Sequence, residues 1–102
     1  MTISVNSNSD GMVVNIQVTE QFDYSVYQPF RDAYHSSKNQ GTKFIVDLSK
    51  ANYMDSSALG MILLLKEHAD QLSGAVVLAK PNDSVHKILK IANFEQLVAI
   101  EC

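Results

Sequence analysis

Cysteine, proline and clustered positive charge are all scarce in these 102 residues, and each scarcity removes a class of protein. The lone Cys102 has no second thiol with which to make an internal disulfide or a Cys-based metal site. Eight Lys and Arg stand against eleven Asp and Glu, for a net charge of −3. Only Lys87 and Lys90 form a basic helical pair, so direct binding of nucleic acid or anionic lipid is not expected. The longest apolar run, residues 58–65, includes Gly60 and falls far short of the roughly 20 residues a membrane helix needs. Met1 to Asp10 shows neither a basic nor an apolar leader region, so the expected location is the cytoplasm, without membrane insertion. No Gly-rich phosphate loop is present and no cofactor is expected. His35, His68 and His86 lie far apart with no ligand spacing, and they read as solvent-exposed helical positions rather than a metal site.

What is present suits one globular domain spanning 1–102. The apolar share of 46% with 19% charged residues is ordinary for a folded protein and outside the regime of disordered chains. No internal repeat, linker or low-complexity segment interrupts it.

Hydrophobic periodicity divides the chain into eight elements. Met12 to Val18 alternates as a strand, with Val14, Ile16 and Val18 on one face, and Ile3 to Asn6 can pair with it across a turn containing Asp10-Gly11. The alternation breaks at Thr19 to Asp23. Tyr24 to Lys38 then carries Val26, Phe30, Ala33 and Tyr34 at helical spacing, and Pro29 requires either a helix start near Tyr27 or a kink. Lys43 to Leu48 reads as a buried strand and Ser49 to Met54 as a short connection. Ser56 to Ser73 is the most regular helix, with Ala58, Met61, Ile62, Leu65, Ala69 and Leu72 in one stripe and Gly74 as its C-cap. Ala75 to Ala79 is a second buried strand, Asp83 to Ala92 a third helix, and Leu97 to Ile100 a last strand. The order β-β-α-β-α-β-α-β predicts an α/β fold: a mixed sheet with predominantly parallel crossovers and helices packed mainly on one face.

The segment FIVDLSKANYMDSSALGMILLL, residues 44–65, carries the functional signal. Asp55 is placed to be the N-cap of the long helix, its carboxylate accepting from first-turn amides, with Ser56 at the first helical position. Capping alone is a sufficient reason for Asp and Ser there. The helix also carries Leu59, Leu63 and Leu64 outside its buried stripe, which fits either a helix buried on most sides or a partly exposed partner groove. A serine hydrolase is disfavoured because Met54 and Ala58 stand where a nucleophile elbow has glycines.

Strand, loop, Asp-Ser-Ser-Ala-Leu-Gly over Asp55 to Gly60, and then an apolar helix resembles the signature of the STAS family, in particular the anti-sigma-factor antagonists. The usual form of that motif has Gly where Ala58 stands. The likeness extends to Val13–Val18, to Asp23 at the start of the first long helix, and to Val85–Phe94. Glu20, Gln21 and Phe22 depart from the Gly-Glu-Leu that usually precedes that Asp. The resemblance implies a single non-enzymatic STAS domain that switches partners. Ser56 would be the phosphorylated residue, supported by Asp55 and Ser57. Asp23, Ala58, Leu59, Gly60, Leu63 and Leu64 would be candidates for the partner surface. The implied partners are a serine kinase of the anti-sigma type and a serine phosphatase. The alternative within the family is a constitutive binding subunit, for example of a transporter complex.

Overall fold

The computed structural model describes residues 3–101, and the expectations placed on Met1, Thr2 and Cys102 lie outside the described residues. Five strands form one sheet in the order β1-β2-β3-β4-β5: β1 (Ile3–Ser7), β2 (Val13–Phe22), β3 (Lys43–Met54), β4 (Ala75–Ala79) and β5 (Ala99–Glu101). The β1–β2 pair is an antiparallel hairpin, and every later pair is parallel. Gly11, with φ +73°, closes the hairpin as the Asp10-Gly11 signal predicts.

Strands that follow one another across the sheet through right-handed crossovers must carry all their helices on one face. The burial pattern shows this. Val14, Ile16 and Val18 of β2, Phe44, Val46 and Leu48 of β3, and Val76 and Leu78 of β4 join one core with the helices, while Asn15, Gln17 and Asp47 face the other side. The helices are α1 (Tyr27–His35), α2 (Ser56–Gln71) and α3 (Asp83–Ile91). Phe30 and Tyr34 of α1, Ala58, Met61, Ile62, Leu65 and Ala69 of α2, and Val85 and Leu89 of α3 are the buried contributions.

Several expected element bounds need correction. The first helix does not run from Tyr24 to Lys38: of the two alternatives set by Pro29 it takes the start at Tyr27, with Tyr24–Val26 a separate 3-10 turn, and it ends at His35. Beginning α1 at Tyr27 puts Pro29 in its first turn, where the missing amide proton costs nothing. Thr19–Phe22 and Ser49–Met54 are strand rather than loop, a two-stranded extension of β2 and β3 with register shifts at Gln17/Thr19 and Glu20/Gln21. The last strand begins only at Ala99, after a 3-10 turn at Phe94–Gln96.

The end of α2 differs in a more instructive way. Ser73, at φ +54°, takes the left-handed position, and the Gly74 amide bonds to the Ala69 carbonyl at 2.8 Å while that of Ser73 bonds to Asp70 at 3.1 Å. This is a Schellman closure in which Gly74 is one residue past the left-handed cap. Its glycine has another cause: a Cβ there would sit 2.1 Å from the Thr42 carbonyl oxygen.

The histidines all lie on helices, but only His35 is exposed. His68 is half-buried between Tyr34 and Phe44, with ring centroids 5.2 and 5.9 Å away, and its Nε2 is 2.8 Å from the Ser37 carbonyl. His86 is also half-buried.

Candidate functional site

The extended ends of β2 and β3 are register partners at Phe22 and Met54, and the Asp55 amide donates to the Phe22 carbonyl at 3.4 Å. Each strand then runs into an Asp. Asp55 has extended backbone, φ −118° and ψ −176°, and caps α2 as expected: its Oδ1 accepts from the amides of Ser57 at 3.0 Å and Ala58 at 3.2 Å. The Ser57 hydroxyl donates to the same oxygen at 2.5 Å. The Ser57 hydroxyl, foremost, and these amides hold the Asp55 carboxyl below the usual carboxylate range against the opposing effect of burial.

Ser57 is therefore committed to the cap, whereas Ser56 is exposed and its hydroxyl makes no hydrogen bond among the described residues. The two serines of the motif have separated roles. The Ser56 side chain stands on the first residue of a sixteen-residue helix, where unsatisfied amides and the helix dipole favour negative charge.

Asp23 repeats the arrangement. Its Oδ1 accepts from the Ser25 amide at 3.0 Å and from the Ser25 hydroxyl, capping the 3-10 turn rather than α1 directly. Asp23-Tyr24-Ser25 and Asp55-Ser56-Ser57 are thus two Asp-x-Ser turns at neighbouring strand ends, and the middle residue of each points outward. A third, Asp47-Leu48-Ser49, lies within β3 and its middle residue is fully buried. At Asp47 burial raises the carboxyl's pKa. Hydrogen bonds from the Ser49 amide and hydroxyl and from Gln17, with the charge of Lys80, outweigh it and leave the pKa lowered.

The other predicted surface residues divide. Ala58 is fully buried with Met61, Ile62 and Leu65, so its side chain cannot meet a partner. Leu59 is half-buried against the core. Leu63 and Leu64 are 41% and 46% exposed. Ser56, Gly60 and Leu63 follow one another at helical spacing on the outward ridge of α2, whereas Leu64 lines a cleft toward α1 with Tyr27, Arg31 and His68. A Cβ on Gly60 would meet nothing within 4 Å. Tyr24 carried no mark in the hydrophobic pattern. Its signal was the repeated Asp-x-Ser spacing, and it is 68% exposed with its ring stacked on Tyr27 at 5.2 Å and 14°.

Residues 5–99 match the family model described as Mlab, STAS domain. The chain belongs to the STAS-domain family. A STAS-domain containing protein of Pseudomonas aeruginosa is 44% identical over 100 residues, which are 98% of this chain and 99% of the relative. The anti-sigma factor antagonist SpoIIAA in its unphosphorylated form superposes with a TM-score of 0.81 at 18% identity, over 96% of this chain and 86% of that one. A sulfate transporter family protein from Wolinella succinogenes superposes with a TM-score of 0.78 at 11% identity, over 94% and 80% of the two chains. The fold is that of STAS proteins of the anti-sigma-factor-antagonist type, and the sulfate transporter family protein shares it. No helix among the described residues is long and apolar enough to cross a membrane.

Proposed function

We propose that this STAS domain is a non-enzymatic partner-switching regulator, an anti-sigma-factor antagonist controlled by phosphorylation of Ser56 in the cytoplasm. The observation that carries the proposal is the separation of the two serines. Ser57 is bound into the cap by Asp55, while Ser56 is exposed with a hydroxyl unengaged among the described residues. The likeness to SpoIIAA, which has been solved in a phosphorylated form as well, supports it.

A phosphate on Ser56 adds about −1.5 to −2 charge and three acceptor oxygens at neutral pH. At the start of α2 it meets the positive end of the helix, so the fold tolerates it. A partner packed over this end does not, because it must desolvate a dianion beside Asp55. A penalty of about 3 kcal/mol changes affinity by more than a hundredfold. The unmodified protein binds a serine kinase of the anti-sigma type, the kinase supplies ATP and catalysis, and a serine phosphatase resets the switch. Asp55 serves as cap and not as base, since a carboxylate with a lowered pKa is a weak base at neutral pH.

The test compares Ser56→Ala with Ser56→Glu as affinity baits in the native host. A serine kinase retained on Ser56→Ala and depleted at least tenfold on Ser56→Glu is the expected result. Equal retention of one partner on both variants would contradict the switch.

The likeness to the sulfate transporter family protein favours a second reading, a constitutive subunit of a transporter complex. That reading predicts a transporter ATPase bound equally by both variants.

A further inference from the structure

We infer that Tyr24 is an aromatic anchor of the partner surface, presented beside Ser56 by the second Asp-x-Ser turn, and that its occupant is a different protein with an apolar slot for the ring. The inference rests on the partner-switching reading and names the surface through which it works.

Three observations converge. Phe22 and Met54 are register partners, so Tyr24 and Ser56, each two residues further on, hold the same place in neighbouring turns capped by Asp23 and Asp55. The Tyr24 ring is largely in water, yet it stacks on Tyr27 and stands on a turn whose backbone Asp23 caps, contacts that favour one orientation of the ring. A large ring that is already ordered loses little entropy on binding, which is why such rings serve as interface hot spots. Finally, Gly60 lies one helical turn beyond Ser56 at a position where glycine weakens a helix and nothing in the fold requires it. Open space above a helix backbone lets another backbone approach closely, and Leu63 continues the same ridge with an exposed side chain.

Tyr24, Ser56, Gly60 and Leu63 line none of three clefts among the described residues, of about 210, 350 and 250 Å³, and stand instead on exposed turns and an outward helix ridge. A second copy of the chain is a poor occupant. A symmetric contact across this face would bring Asp23 and Asp55 of both copies into one interface, where four like charges repel. A different protein whose slot is apolar meets no such repulsion from the unmodified surface. The same slot is intolerant of a phosphate on Ser56, which ties the anchor to the switch.

The experiment expresses wild type, Tyr24→Ala, Tyr24→Phe and Gly60→Ala in the native host. It measures the phosphorylated fraction at Ser56 by mass spectrometry, the melting temperature of each purified protein, and its mass in solution by sedimentation. The expected result is a tenfold or greater loss of Ser56 phosphate in Tyr24→Ala, near wild-type phosphate in Tyr24→Phe, a loss in Gly60→Ala, and no fall in melting temperature for any of them. Unchanged phosphate in Tyr24→Ala with wild type modified overturns the anchor alone. A wild-type dimer that Tyr24→Ala dissociates assigns the ring to self-association and overturns the choice of occupant. No phosphate on wild type in any growth phase overturns the partner-switching reading itself, and the anchor with it.

Discussion

Gly60 and Gly74, on and just beyond the same helix, are glycines for opposite reasons. At Gly74 a single added methyl group would collide with the Thr42 carbonyl oxygen at 2.1 Å, where the chain leaving α2 passes against the approach to β3. At Gly60 the same methyl group would point into open space. One glycine is demanded by the fold, and the other costs the fold about 0.5–1 kcal/mol relative to alanine. The end of the domain near Gly74 is built for stability. The end near Gly60, with Ser56 and the two Asp-capped turns, keeps a helix weaker than it need be, which is the trade the proposed partner surface would make.

The contrast is broken or sharpened by substitution, and the largest effect falls at Gly74. Gly74→Ala should destabilise by about 3 kcal/mol, because the obstructing atom is backbone and cannot swing aside. Urea denaturation measures this, and a midpoint close to wild type would remove the structural half of the contrast. Asp55→Ala should cost about 1 kcal/mol as the Ser57 and Ala58 amides and the Ser57 hydroxyl lose their acceptor. Gly60→Ala should move the other way, raising stability by about 0.5–1 kcal/mol. If Gly60→Ala proves less stable, the fold needs that glycine and the contrast fails. Ser56→Ala should leave the urea midpoint within about 0.5 kcal/mol of wild type while removing the modification.

Acid sharpens the same comparison. The Asp55 carboxyl has a lowered pKa in the folded protein, chiefly through the Ser57 hydroxyl. Its contribution is therefore fully present above the unfolded carboxylate pKa of about 3.9 and is lost as pH falls through the lower folded value. Below that point the stability difference between wild type and Asp55→Ala should narrow, as followed by urea midpoints across the acid range.

Much of this architecture was legible because local pattern and tertiary demand agree. The stripe from Ala58 to Leu72, the AVVLA strand and the Asp10-Gly11 turn each read correctly. The polar ribbon of Thr19–Phe22 and Ser49–Met54 did not, since two register shifts break the alternation that marks a strand. Its consequence, the pairing that brings Tyr24 level with Ser56, depends on contacts thirty residues apart in sequence and has no local signature. Asp55 as cap was legible from residue type and position. The different fates of Ser56 and Ser57 were not, because both are serine and only the turn geometry decides which hydroxyl Asp55 takes. Ala58 belonged both to the apolar stripe and to the motif that the family resemblance marked for partner contact, and burial assigns it to the stripe.

The central claim is that Ser56 is the residue through which the cell changes what this protein binds. Intact mass of the protein purified from its native host across growth phases, with fragmentation to place any addition, tests it most directly. One phosphate on Ser56, present in some growth phases and absent in others, is the predicted result. Phosphate confined to Ser57 or another residue, or none in any phase, would contradict it.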